Sequence, residues 1–391
     1  MDKLLVPFRQ GKLLNTLFLA NIFISLHYAL IVYVNSSFLS NFFSETQVSA
    51  LYIMGAVMEI ILLINASKIL QKLGSYKFIT LTIILELLSL VGILSTTSSF
   101  FVSFYFLIHI FSVSLIAFNM DVFIEAISQN EESTGGIRGS YLTLSNIAFV
   151  LSPLIVAFIV TDSDYTFVYL LSATLLIPLF SLMKKLKKVS PPNIKHIDVR
   201  QTISEYTKDK DLYNIFFCQF TLQMFYSYMI IYVPIYLKNN IGFSWEEIGI
   251  MFTIMLLPFV LFELPVGELE DMKYGEKEFL TGGFAIMSMA TVFISFVTVK
   301  VFWIWAFILF VSRIGASLVE ISTESYFFKH VDKDKTDIIS FFRITRPLSY
   351  IVTPVLATIA LQFMPFQYIF IVIGGIVIIG AHYSMDLRDT K

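Results

Sequence analysis

The chain has 391 residues, of which 57% are hydrophobic and 14% charged, with a net charge of −2. An ordinary soluble domain carries about 25% charged residues, so this composition excludes a soluble core-and-surface protein, and the near-neutral charge argues against a nucleic-acid partner. The single cysteine, Cys218, excludes an intrachain disulfide and leaves no metal-binding framework.

Crossing a bilayer takes about 20 mostly apolar residues. In chain order the segments that meet this are 13–36, 46–66, 77–96, 100–128, 138–160 and 165–184, then 211–237, 246–266, 278–298, 302–328, 337–361 and 364–385. The head MDKLLVPFRQGK is short and basic, and the apolar run after it is too long for the h-region of a cleaved signal. Turn or charge signals such as KLGSYK, NEESTGG, KNNIGFS and DMKYGEKE separate the spans. The polar stretch around Pro191-Pro192 divides them six and six. The expectation is an all-α integral membrane protein of twelve transmembrane helices in two pseudo-symmetric six-helix bundles. Residues 1–184 and 211–391 form the bundles, and 185–210 the cytoplasmic linker.

With the N-terminus placed in the cytoplasm, 22 of the 27 Lys and Arg residues fall in cytoplasmic segments. Only Lys238 and Lys300 fall outside, and Arg313, Arg343 and Arg346 lie within spans. This bias predicts cytoplasmic N- and C-termini in a cytoplasmic (inner) membrane. The chain also repeats itself. FSETQVSALY near residue 43 returns as FSWEEIGIMF near 243, and IVYV at 31–34 returns as IIYV at 230–233. Asp121 and Glu125 match Glu320 and Glu324, and Ser152-Pro153 matches Thr353-Pro354, all at an offset of 199 to 201. One shared offset indicates a duplicated six-helix unit, a known transporter plan.

Between spans 2 and 3 the chain reads SKILQKLGSYK, and between spans 8 and 9 it reads ELPVGELEDMKYGEK. These resemble the signature Gly-x-x-x-Asp-Arg/Lys-x-Gly-Arg/Lys-Arg/Lys of the major facilitator superfamily. The first copy keeps Lys72, Gly74 and Lys77. The second keeps Gly267, Asp271, Lys273, Gly275 and Lys277, with one extra residue after the aspartate. The resemblance covers nearly the whole chain, and an uncharacterised bacterial branch fits it. It implies that spans 1, 4, 7 and 10 line a central cavity, that Gly74, Asp271 and Gly275 belong to a cytoplasmic gate, and that the protein is a monomer.

Charge inside a membrane span is costly and needs a partner, a cavity or a task. Arg313, Glu320 and Glu324 share one face of span 10, at spacings of seven and eleven. A rise of 1.5 Å per residue puts Arg313 about 16 Å from the outer end, near the midplane. Glu320 and Glu324 lie about 12 and 6 Å from the inner end, and Arg343 and Arg346 reach about 9 and 13 Å into span 11. These matched depths make pairing of the two glutamates with the two arginines the plain structural reading. Asp121 and Glu125 occupy the mirrored places on span 4, with Arg138 as their local basic neighbour; the two acids reaching Arg343 or Arg346 would close a gate. Arg313 is the only basic residue near the midplane and suits a carboxylate or phosphate. Its structural alternative is a pair with Glu59, Glu86 or a backbone carbonyl. His27 matches Tyr226 by offset, and Gln219, Gln223 and Tyr226 share a face, so these four read as a polar stripe in two cavity helices. His109, off the Asp121 face, reads as packing.

The expected function is secondary active transport of a small organic, anionic or zwitterionic solute by alternating access. Protons are the coupling ion, carried by Asp121, Glu125, Glu320 and Glu324. Efflux of amphipathic drug-like compounds, an uncoupled facilitator and a non-transporting receptor are the alternatives. No Walker-type loop, nucleophile–base pair or metal cluster is present in the sequence, so neither an enzyme nor a cofactor is expected.

Overall fold

The computed structural model describes residues 11–127, 134–160, 164–189, 199–270, 275–331 and 336–388. Among these the secondary structure is helical throughout its long elements. We label the twelve long helices α1 Lys12–Val32, α2 Glu45–Leu73, α3 Ser75–Leu94, α4 Ser99–Ile127, α5 Thr134–Ile159, α6 Thr166–Met183, α7 Lys210–Ile235, α8 Trp245–Leu261, α9 Lys277–Ile294, α10 Phe302–His330, α11 Thr345–Phe363 and α12 Ile369–Met385. Eleven helical segments are long and apolar enough to span a membrane, and Thr143–Ile159 of α5 is a shorter apolar helix. A helix satisfies its own backbone polar groups, which a bilayer cannot do, so apolar sequence of this length folds as helix.

The chain divides into two compact units, residues 1–43 with 54–196, and residues 44–53 with 197–391. The same packing pattern recurs inside each. In the first unit α1 packs on α5 and α6, and α3 on α4 and α6. In the second α7 packs on α11 and α12, and α9 on α10 and α12. This repeat of six-helix packing is the structural counterpart of the sequence offset. The short segment 44–53, the start of α2, groups with the second unit, where Ser49 hydrogen-bonds the Tyr232 hydroxyl at 2.6 Å.

Helix ends follow local chemistry. Asp209 caps α7 by accepting from the backbone N–H groups of Asp211 and Leu212, at 3.0 and 3.2 Å. Ser244 and Glu247 form a capping box at the start of α8. Within the stretch 185–210, Val199–Lys208 is a helix, and its Tyr206 hydroxyl donates to the Ile338 carbonyl at 2.8 Å. Two expected spans are broken. Residues 337–361 divide into Thr336–Arg343 and α11, with a turn at Ile344. Pro347 has no N–H to offer the Arg343 carbonyl four residues back, so the ladder fails there. Pro265 does the same to the Leu261 carbonyl, and a short helix, Glu263–Leu269, follows α8 after a turn at Phe262.

Candidate functional site

The polar face of α10 is set by a close backbone approach. A Cβ added at Gly315 would lie 2.5 Å from the Gly283 carbonyl oxygen, and one at Gly283 would lie 2.8 Å from the Gly315 carbonyl oxygen. Two glycines thus let α9 and α10 touch backbone to backbone, the usual role of small residues between membrane helices. This contact sits two residues from Arg313 and fixes the helix that carries it.

Arg313 is 1% exposed. Its guanidinium lies 4.9 Å from the ring centre of Phe225 and 5.5 Å from that of Tyr226, both on α7. Its Nε and Nη1 meet no hydrogen-bond acceptor. The Tyr226 hydroxyl donates to Glu320 Oε2 at 2.5 Å, tying α7 to α10. One turn further, Arg343 grips Glu324 with both ends of its fork, Nη1 to Oε1 at 2.5 Å and Nη2 to Oε2 at 3.1 Å. Glu263, at the start of its short helix, lies within electrostatic reach of Glu320 and Glu324. The second unit therefore assembles three carboxylates, two arginines and a phenol, with one cation left holding unmade donors.

Other expected residues fall as follows. Gln219 is buried with its Oε1 meeting no donor, and Gln223 is half-buried on the same helix. Arg346 is exposed in the first turn of α11. Asp121 is exposed on α4 and lies within electrostatic reach of Tyr141 on α5. The side chains of Glu125 and Arg138, and the whole of Asp271, lie outside the described residues. Gly74 and Gly275, the matching glycines of the two signature copies, have φ of 74° and 75°. Both signatures thus turn through the left-handed region that only glycine enters freely. Beside Gly275, Glu276 is buried and takes Lys329 of α10 at 2.5 Å, while Glu270 accepts from Ser322. These two acids escaped the sequence reading, although they flank the signature aspartate.

His27 lies in the first unit, in a network that the sequence reading did not find. Its Nε2 is 3.2 Å from Glu86 Oε1 on α3, and His109 Nδ1 on α4 is 2.7 Å from the same oxygen. His27 also meets Ser172 on α6, with Nδ1 at 2.8 Å from the hydroxyl. Glu86 therefore pairs with two histidines and not with Arg313.

The sequence matches the model of the Major Facilitator Superfamily over residues 17–246 and 215–385. The chain belongs to this superfamily. Among solved structures it is similar to the nucleoside transporter NupG, with a TM-score of 0.69 at 13% identity, covering 96% of this chain and 99% of that one. It is also similar to a POT family transporter in complex with a thioalcohol-conjugated peptide, with a TM-score of 0.76 at 12% identity and 94% of each chain covered. At such identities the likeness is one of fold. No curated protein matches the chain by sequence. The superfamily member is thus a multi-pass membrane protein with a transporter fold, and its family points to a transporter rather than an enzyme.

Proposed function

We propose that this superfamily member is a secondary active transporter, moving a small anionic or zwitterionic organic solute across the cytoplasmic membrane by alternating access, with protons as the coupling ion. The observation that carries the reading is Arg313: a buried guanidinium, stacked on two rings, with Nε and Nη1 unmatched. A buried donor without a partner costs about 1–3 kcal/mol, and a membrane interior offers no water to repay it. A solute carboxylate or phosphate would supply the missing acceptor and the missing charge.

The neighbouring acids supply a reason for coupling. Arg313 faces Glu320 through Tyr226 and interacts with its charge. An anion that takes up the Arg313 charge leaves Glu320, Glu324 and Glu263 with less compensation. A proton on one of the three restores the balance. Solute anion and proton would then travel together.

The test is thermal stability of the purified protein against a compound library, at about pH 5.5 and about pH 7.5, either side of neutrality. A stabilising class that contains an anionic group, and that loses its effect in Arg313→Ala, supports the reading. Stabilisation by anionic compounds that survives in the variant overturns the anchor. Solute uptake into proteoliposomes that is unchanged when the pH gradient is collapsed overturns the proton. Three carboxylates against two arginines favour one competing reading, efflux of an amphipathic cation; lipophilic cations alone stabilising the protein would select it.

A further inference from the structure

The first unit gathers lysines at one end and pairs them with no acid. Lys72 lies in the last turn of α2, Lys77 in the first turn of α3, and Lys184, Lys185, Lys187 and Lys188 follow α6. All six are exposed. Packing brings these ends together: α3 packs on α6, and α1, which starts at Lys12, packs on the short turn Lys184–Leu186. The Lys187 Nζ stands 5.7 Å over the Tyr76 ring and joins the end of α6 to the start of α3. Among the described residues, no ion pair reaches any of the six ammonium groups.

The corresponding end of the second unit is built differently. There Lys210 pairs with Asp386, Lys329 with Glu276, Arg343 with Glu324 and Arg388 with Asp211. Lys277 donates to the Leu387 carbonyl at 3.0 Å. The positive-inside bias sets how many cations face the cytoplasm and asks nothing about their partners. Both units satisfy the bias, but the first does so with cations that stand unpaired. Orientation in the membrane therefore does not account for them.

Two of these lysines stand at the head of an exposed apolar stripe. On α3, Lys77, Leu81, Ile84 and Leu88 share a face at spacings of four, three and four, and Leu81, Ile84 and Leu88 are 48%, 42% and 58% exposed. On α6, Leu170, Ile177 and Lys184 share a face at spacings of seven, with Leu170 and Ile177 44% and 60% exposed. In a membrane protein such faces meet lipid chains. Leu88 lies about 16 Å along the axis from Lys77, close to half of a hydrocarbon core of about 30 Å. The α3 stripe is thus one leaflet long, and its ammonium stands at headgroup level. The Lys184 Nζ lies 5.1 Å over the Phe180 ring, one turn back toward Ile177, so its charge is held at the top of the stripe.

We propose that Lys77, Lys184 and Lys187, with the stripes on α3 and α6, form a binding surface for an anionic phospholipid of the adjoining leaflet. Its phosphate takes charge-assisted hydrogen bonds from the ammonium groups, and its chains lie along Leu81, Ile84 and Leu88 and along Ile177 and Leu170. A zwitterionic lipid brings its own ammonium, which these lysines repel. A soluble polyanion would meet the lysines but leave the stripes unused. The surface stands independently of Arg313 and of the solute, which belong to the other unit.

Native mass spectrometry of the full-length protein in detergent counts bound lipid directly. The probes are phosphatidylglycerol and phosphatidylethanolamine of matched chains, with glycerol phosphate as a headgroup without chains. The parent should hold phosphatidylglycerol in preference to phosphatidylethanolamine. Lys77→Gln, Lys184→Gln and Lys187→Gln combined should weaken phosphatidylglycerol by about five-fold for each lysine, or about a hundred-fold together. Lys208→Gln, Lys210→Gln and Lys277→Gln combined remove equal charge from the second unit and should leave the lipid bound. Lys184→Gln alone, at an exposed position, should show its single share of the loss and serves where the triple variant does not fold. Equal losses in the two triple variants, or no loss in Lys184→Gln, overturn the surface. Equal retention of the two lipids by the parent overturns the anionic headgroup. Displacement of the lipid by equimolar glycerol phosphate overturns the stripes and makes the lysines a site for a soluble phosphate.

Discussion

Arg313→Met tests whether the buried guanidinium is kept for a ligand or for the fold. Methionine keeps an unbranched apolar stem, shorter than the arginine side chain, and removes the charge. Stacking on Phe225 and Tyr226 is worth about 1–2 kcal/mol when desolvated, and that is lost. Against it stand the two unmade donors, Nε and Nη1, each costing about 1–3 kcal/mol while buried and unmatched. Attraction to Glu320 offsets part of that relief, so the ligand-free variant should be more stable by about 1–3 kcal/mol by these terms. Binding should move the opposite way. Two charge-assisted hydrogen bonds are worth about 3–6 kcal/mol together, which is roughly a hundred-fold to ten-thousand-fold in affinity. Thermal melting of the purified protein with and without a stabilising anion reads both effects. A variant that melts earlier without ligand, yet binds the anion as tightly as the parent, would refute the reasoning and make Arg313 a structural latch.

Other substitutions probe the surrounding architecture. Gly74→Ala and Gly275→Ala place a Cβ at φ of 74° and 75°, at a cost of about 1–2 kcal/mol each. Gly375→Ala, in an open helical position with nothing within 4 Å, should be neutral or stabilising by about 0.5–1 kcal/mol; equal melting temperatures across the three would count against strain in the signature turns. Exchanging the partners as Glu324→Arg with Arg343→Glu should recover stability lost in either single change. The pair is partly exposed, so the recovery should be about 0.2–1 kcal/mol, and strict additivity in the double-mutant cycle would disprove the pairing. Asp209→Ala removes the α7 cap and should cost about 1 kcal/mol. Burial alone would raise the Asp209 carboxyl, but hydrogen bonds from His330 and from the backbone N–H groups of Leu212 and Asp211 outweigh it and hold the group below the ordinary aspartate range. A depressed carboxyl stabilises above its unfolded value and loses that contribution as pH falls through the folded one. The gap between parent and variant should therefore shrink below about pH 4, and a gap that widened on acidification would contradict the assignment.

How far the sequence was legible depends on what kind of relation each feature needs. The spans were readable because a helix facing lipid and neighbours is apolar all round, and length alone then marks it. The breaks in the eighth and eleventh spans, at Phe262 and Ile344, were missed, although Pro265 and Pro347 each announce the lost hydrogen bond four residues earlier. Tyr226 and the α10 face were readable because residues on one helix are ordered by its period. Glu86 was not, because its partners stand on other helices, 59 and 23 residues away in sequence, and periodicity relates nothing across helices.

Depth would have supplied the missing relation. Two antiparallel helices joined by a short turn bring together residues equally far from that turn. Glu324 lies six residues before His330, and Arg343 seven after Thr336, or about 9 and 10 Å of helix rise; the structure joins them through two hydrogen bonds. Glu86 lies eight residues before Leu94, and His109 ten after Ser99, or about 12 and 15 Å; the structure joins them at 2.7 Å. The count that pairs the α10 glutamate with its arginine also pairs the α3 glutamate with its histidine. In a membrane chain an unpartnered charge is costly enough that depth from the connecting turn becomes a positional code. Arg313 is the residue for which the code returns no partner in its own hairpin, and its Nε and Nη1 stand unmatched in the structure. That agreement between an empty match in sequence and an empty contact in space is why Arg313, and not the better-paired glutamates, is the residue to test first for the solute.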